Sequence, residues 1–237
     1  MAHANIPHAN IQWRSRVRLV DEVADLLRGE IYAGHFPLGT PLRQEQLAAE
    51  LNVSRTPLRE ALRMLEREGL VRVEPGRSVR VISGDLSTLL EAYALREVVD
   101  GLAARLAAGR VDEVTVDRLE GIVEQQKKAL QPWDPPLYTG TNVEFHLAIM
   151  EAAGNEFLMA QLPLVHVTSQ VFIPIARANQ QRAEHAIREH IEIVAAIGDV
   201  DGVRAEQRAR EHIRQTIRSL SLRADDGESQ GEAATDS

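Results

Sequence analysis

The chain has 237 residues, 44% hydrophobic and 26% charged, which suits one large or two small folded domains and excludes collagen-like or wholly disordered architectures. It has no cysteine, so disulfide frameworks, thiolate metal sites and cysteine nucleophiles are excluded together, and any metal must be held through nitrogen and oxygen. The net charge of -8 is divided unevenly: residues 1–80 carry 12 Arg against 10 acidic residues, the rest 15 basic against 25 acidic, an asymmetry that favours two domains with different partners.

Residues 1–12 contain no Lys or Arg and no apolar core, so they read as a flexible start and not as a signal peptide. From Val17 to Leu27 apolar residues recur at helical spacing, and Gly29 and Gly34 punctuate the end. Pro37, Gly39 and Pro41 make a turn-rich connection. Gln44 to Leu51 places Leu47, Ala48 and Leu51 on one helical face. After a break of about three residues at Asn52–Ser54, Leu58, Ala61, Leu62 and Leu65 mark another helix that Gly69 ends. Ser54 or Thr56 is placed to cap its start, and Pro57 falls in the tolerant first turn. Leu70 to Ile82 alternates around Pro75-Gly76, the pattern of a hairpin. Residues 13–82 therefore predict a winged helix-turn-helix whose second helix enters the DNA major groove.

Opposite the apolar stripe of that helix, Arg55, Arg59, Arg63 and Arg67 form one ridge. An Arg near the amino-terminal tip can pair with guanine O6 and N7, worth about 1–3 kcal/mol of discrimination. For Arg63 and Arg67 a solvated helix face is equally open, because Glu60, Glu66 and Glu68 intervene. In the hairpin, Gly76 allows close backbone approach and Arg77 is placed to reach a phosphate or the minor groove.

The run from Leu47 to Val71, with Gly34–Thr40 before it, resembles the GntR family of bacterial winged-helix regulators. The resemblance implies operator contacts by Ser54, Arg55, Thr56 and Arg59, with Gly76 at the wing tip. Many members carry an Arg at the position of Glu45.

A short linker at 83–87 leads into successive helical patterns with no strand alternation: Asp85–Ala108, Val111–Leu130, Leu137–Ala153, a long apolar stretch broken near Pro163 and Pro174, Arg182–Ile197 and Gly202–Leu222. In the first, Leu86, Leu89, Leu90, Tyr93, Ala94, Val98, Leu102 and Leu106 read as the core face. The charge-free run Phe157–Ala176 is long enough to span a bilayer, but its two Pro, two Gln and His166 make it a buried helix. No membrane partner is expected. Residues 88–223 predict an all-α bundle and 224–237 a disordered tail, giving a mainly α chain of two domains.

Asn142 and His146 are four apart and share a helix face, while His190 and His212 lie on two later helices. By spacing alone, core histidines and metal ligands are both open readings. His166 and His185 read as structural or surface residues, with His166 a possible cavity neighbour. Glu144 and Glu189 flank ligand candidates but should point to other faces. Arg96 reads either as half of a surface pair with Asp100 or as a carboxylate clamp.

The segments Asn142–His146, Ala153–Asn155, Glu189-His190 and Glu211-His212 are similar to the FCD effector-binding domain of the FadR subfamily of GntR regulators, over nearly all of residues 88–222. The resemblance implies a divalent metal held by Asn142, His146, His190 and His212, a small carboxylate effector completing its coordination, and Arg96 facing the cavity. Zinc is placed first; nickel, iron and manganese also suit this ligand set. Asn in place of the commoner Asp leaves the site more positive.

The expected function is a repressor, not an enzyme. A homodimer would bind a palindromic operator in double-stranded DNA and respond to a small organic acid, in the bacterial cytoplasm at the nucleoid. A metal-dependent hydrolase with an accessory basic domain is the alternative, because three His with an open position also describe catalytic zinc. A third reading is a bundle that only dimerises.

Overall fold

The computed structural model describes residues 16–74, 78–110, 112–172 and 179–233, and the side chains of all but 16–18 and 223–233. Gly76 and Arg77 lie outside the described residues, as does Val111. Two compact units emerge: the chain to Gly84 with Gln170–Phe172, and Asp85–Ser169 with the chain from residue 173.

The first unit opens with α1 (Arg16–Tyr32), which buries Val23, Ala24, Leu27 and Ile31. It passes through Gly29, where the sequence reading placed a stop. A mid-helix glycine costs about 1 kcal/mol, less than the roughly 1.5–3 kcal/mol from burying an Ile side chain beyond it, and the reversal comes at Gly34 with φ 78°. Helices α2 (Gln44–Glu50) and α3 (Arg55–Arg67) follow. The turn between them places Asn52 at φ 52°, a conformation asparagine tolerates. Leu58, Ala61, Leu62 and Leu65 are buried on α3, as their spacing predicts. Ser54 is the N-cap but makes no side-chain capping bond, contrary to its expected capping role.

Strands β2 (Val71–Val73) and β3 (Val79–Val81) pair antiparallel, Val71 opposite Val81 and Val73 opposite Val79. A third strand, β1 (Pro41–Leu42), joins the free edge of β3 in the order β1-β3-β2. Two residues are too short to show alternation, and Pro is admissible on an edge, so this strand replaces the turn-rich connection that Pro37, Gly39 and Pro41 predict.

The second unit is all α: α4 (Leu86–Ala108), α5 (Glu113–Lys128), α6 (Pro135–Ala152), α7 (Glu156–Met159), α8 (Leu162–His166), the first part of a π-helical turn at Val167–Val171, α9 (Gln180–Gly198) and α10 (Gly202–Ala233). Asp85, Asp112, Asp134, Asn155 and Asn179 cap five helix starts through their side chains. The apolar run is two short helices and a π turn instead of one long helix, with Pro163 in the first turn of α8. Among the described residues no helix is long and apolar enough to cross a membrane. Helix α10 continues to Ala233, beyond the point where the sequence reading began a tail.

Helix α4 packs along α10 and also meets α6 and α9. Its buried side carries Leu89, Tyr93, Arg96, Val99, Asp100, Ala103, Ala104, Ala107 and Ala108. Gly101 permits the close approach: a Cβ there would lie 2.7 Å from Arg210 Cγ on α10. The predicted face was partly wrong. Val98 and Leu102 are 48% and 40% exposed, and Leu95 beside them 52%. Helix α4 is apolar nearly all round, so periodicity could not select the inward side. The choice went to the face whose Arg and Asp find each other and whose alanines admit neighbouring helices.

Candidate functional site

At the tip of α3, Ser54, Arg55, Thr56 and Arg59 are all exposed, and Arg63 and Arg67 continue the ridge along the solvent face. Every apolar residue of the helix's stripe is inside, so the guanidiniums are left on the exposed face. Arg59 has no ionic partner among the described residues. Arg55 does: its Nη1 donates to Glu45 Oε1 at 3.1 Å, with both side chains well exposed. The acidic departure at position 45 therefore occupies a tip arginine. Exposed pairs of this kind are worth about 1 kcal/mol or less, so the contact is easily exchanged for a phosphate. Glu45→Gln is expected to tighten DNA binding about three- to tenfold at low salt, with the gain shrinking as salt rises. Fluorescence anisotropy across a salt series checks this; equal affinities at every salt would remove Glu45 from the account.

In the helical unit, His146 from α6, His190 from α9 and His212 from α10 come together. All three are buried, and one ring nitrogen of each lies within 4.8 Å of the others. Three later contacts orient them. His146 Nδ1 lies 3.1 Å from Asp100 Oδ2, His212 Nδ1 2.7 Å from Glu189 Oε2, and His190 Nδ1 2.8 Å from Gln126 Oε1. The Gln126 amide is fixed because its Nε2 donates to the Thr141 carbonyl at 3.1 Å, which turns its oxygen toward His190. Phe145 stacks on the His190 ring, centroids 4.0 Å apart.

These partners are acceptors, so each Nδ1 carries the proton and each Nε2 presents a lone pair. His190 Nε2 and His212 Nε2 are 3.4 Å apart. Two lone pairs at that distance repel unless an electrophile sits between them, and two nitrogens each 2.0–2.1 Å from a tetrahedral metal would be separated by about 3.3 Å. The donor set thus fits a divalent cation, with Asp100, Glu189 and Gln126 as the outer partners such ligands need. Burial lowers the pKa of all three imidazoles, and for His190 and His212 the neighbouring imidazoles add to the shift. They are neutral at pH 7 and able to ligate. Burial would raise the Asp100 pKa, but Arg96 and His146 beside it outweigh this and hold the carboxyl below the ordinary carboxylate range.

Beside the cluster is a cavity of about 130 Å³ whose wall includes Arg96, Asn142, His146, Arg182 and His212. Asn142 stands one helical turn before His146. Arg96 is only 1% exposed, which excludes the surface-pair reading, although it does pair with Asp100: Nη2 donates to Asp100 Oδ2 at 2.8 Å, and Nη1 to Thr168 and Ser169 hydroxyls at 3.0 Å. Glu144 is exposed, but Glu189 faces the site, contrary to expectation, because its long side chain swings from the flank of α9 toward His212. Its spacing of seven from Arg182, two helical turns, was the overlooked signal. Arg182 was missed altogether. His185 is exposed and bonded to the Gln181 carbonyl, and His166 is not among the residues lining the cavity.

Comparison with known proteins agrees with both units. Residues 19–81 match the family described as bacterial regulatory proteins, gntR family, and residues 91–215 match the FCD domain. A probable D-xylose utilization operon transcriptional repressor of Paenarthrobacter nicotinovorans is 29% identical over 201 residues, covering 84% of this chain and 87% of the relative. The HTH-type transcriptional repressor NanR of Enterobacter sp. (strain 638) is 30% identical over 224 residues, covering 84% of each. The gluconate operon transcriptional repressor of Bacillus licheniformis is 34% identical over 149 residues, covering 62% of this chain and 60% of the relative. Among solved structures, E. coli McbR/YncC shares the fold with a TM-score of 0.73 at 22% identity, covering 87% of this chain and 98% of that one. These families are regulators, which sets aside the hydrolase alternative. With a winged helix matched from 19 to 81 and an FCD domain over more than half its length, the chain belongs to the GntR family of transcriptional regulators.

Proposed function

We propose that the protein is a ligand-responsive repressor of the FadR type, whose homodimer binds a palindromic operator through Ser54, Arg55, Thr56 and Arg59. The wing residues Gly76 and Arg77 add backbone contacts. A small organic acid enters the cavity of the helical unit and is held by Arg96 and by a divalent metal on Asn142, His146, His190 and His212, with zinc the first choice. The single observation carrying this reading is the convergence of three buried imidazoles whose Nδ1 atoms are all engaged, with the Nε2 atoms of His190 and His212 left 3.4 Å apart. Similarity to repressors named for D-xylose and gluconate operons favours repression of a catabolic operon. A bacterial cytoplasmic site at the nucleoid follows from that role.

The metal, when bound, supplies a Lewis-acidic position for an anionic ligand. The chain's own residues do the rest: Asp100, Gln126 and Glu189 fix the ring orientations, Arg96 presents charge from α4, and burial keeps the imidazoles unprotonated. Dimerisation is supported by Leu95, Val98 and Leu102, an exposed apolar stripe on α4 at helical spacing that a second copy would cover, as a two-fold operator requires. Ligand binding changes DNA affinity only through differential affinity for the two functional states, typically about 1–3 kcal/mol of coupling.

The test is a melting-temperature screen of mono-, di- and hydroxy-carboxylates on chelator-treated and metal-loaded protein. Metal is expected to raise the melting temperature, and the effector to raise it further in the loaded form only. Carboxylates that stabilise both forms equally would overturn the metal-centred reading.

A further inference from the structure

Arg182, near the start of α9, is a second guanidinium on the same cavity wall as Arg96. It is 19% exposed as a side chain. Its Nη2 donates to Glu189 Oε2 at 2.9 Å, to Thr216 Oγ1 at 2.9 Å and to the His212 carbonyl at 3.3 Å. That single nitrogen anchors the group. Nε and Nη1 are buried and, among the described residues, have no hydrogen-bond partner, and the same holds for Arg96 Nε.

Buried donors are nearly always satisfied, because an unmade bond costs about 1–3 kcal/mol, more for a charged group. Two guanidiniums on the wall of one small cavity, each keeping a buried donor that no described residue accepts from, point to an anionic ligand beside them. The volume limits its size. A cavity of about 130 Å³ is close to the roughly 150 Å³ that accommodates benzene, so the ligand has on the order of six to ten heavy atoms. Hydroxyls and amides of Thr139, Asn142, Asn179 and Ser219 also line it, which suits a polar chain between charged ends.

We propose that the cavity selects a small organic diacid, with one acidic group taken on the Arg96 and histidine side and the second, a carboxylate or phosphate, by Arg182. Arg182 is then the residue that discriminates diacids from monoacids. This rests on the effector reading above and sharpens it to a ligand class. Because Glu189 accepts from both Arg182 and His212, the second acidic group is also tied through one carboxylate to the histidine cluster.

The experiment uses the full-length, zinc-supplemented protein and isothermal titration with matched probes: malate, succinate and 2-phosphoglycolate against 3-hydroxybutyrate, butyrate and glycolate. Wild type is expected to bind at least one diacid tenfold or more tighter than its monoacid partner. Malate against 2-phosphoglycolate distinguishes a carboxylate from a phosphate at the second position. In Arg182→Gln the affinity ratio is expected to fall below threefold, at unchanged zinc content. Arg182→Lys, which keeps the charge but lacks the second donor edge, should give an intermediate ratio and serves if Arg182→Gln does not fold.

Equal affinities in wild type, a tenfold ratio that survives in Arg182→Gln, or no binding by any probe would overturn the proposal. Failure of this idea alone has its own signature: tight, zinc-dependent monoanion binding indifferent to Arg182→Gln leaves the effector reading standing. Silence of every probe removes both.

Discussion

Arg59→Glu is expected to weaken operator binding by on the order of a thousandfold while leaving the melting of the helical unit unchanged. Arg59 is exposed at the amino-terminal end of α3, one turn beyond Arg55 and clear of the buried stripe of Leu58, Ala61, Leu62 and Leu65, so the substitution removes no packing. A lost bidentate base contact accounts for about 1–3 kcal/mol, and placing a carboxylate against a phosphate-lined groove adds repulsion of similar size. Together about 4 kcal/mol is three decades of affinity. Mobility shifts on an operator enriched in vitro from random DNA provide the measurement. Sequence-specific binding within tenfold of wild type would remove Arg59 from the reading surface. Arg59→Gln separates the two contributions, because it loses the bidentate cation without adding the repulsion.

The second large effect belongs to the histidine cluster. His146→Ala combined with His190→Ala removes two of three imidazoles, and elemental analysis is expected to fall from about one metal per chain to less than a tenth. Saturating metal at about a hundred times its dissociation constant stabilises a binding fold by about 2.7 kcal/mol, so the metal-induced rise in melting temperature should vanish in the double variant. Operator binding of the metal-free protein should survive, since the reading helix belongs to the other unit. Gln126→Leu is a gentler probe: the His190 ring stays but loses its orienting acceptor, and a 10- to 100-fold loss of metal affinity is expected. Unchanged metal content in the double variant would make the cluster a structural one.

The DNA-reading part of this protein was legible from its sequence because its signals are local. The spacing of Leu58, Ala61, Leu62 and Leu65 fixes which face of α3 is buried, and so where the Arg ridge must point. The alternation of Val71, Val73, Val79 and Val81 fixes the register of the hairpin. In the helical unit the same logic weakened. Position 142 and the three histidines were legible through a family likeness, whereas the roles of Asp100, Gln126 and Glu189 toward the histidines depend on pairings between helices, across 23 residues for Glu189 and 64 for Gln126, that no periodicity reports. The face of α4 was misread for a related reason: with apolar residues on every side, its orientation is set by what α6, α9 and α10 present to it.

Sequence by itself determined the order of the main helices, the division into two units and the exposed arginine tip, because helical period, turn residues and charge balance are properties of short stretches of chain; the candidate metal ligands came only through the family likeness. Tertiary structure alone decided that Arg96 is buried, that Glu189 turns toward His212, and that Arg182 shares a cavity with Arg96 and His212. Burial and hydrogen-bond partnership are set by the elements that fold against a residue, and those elements lie far away along the chain.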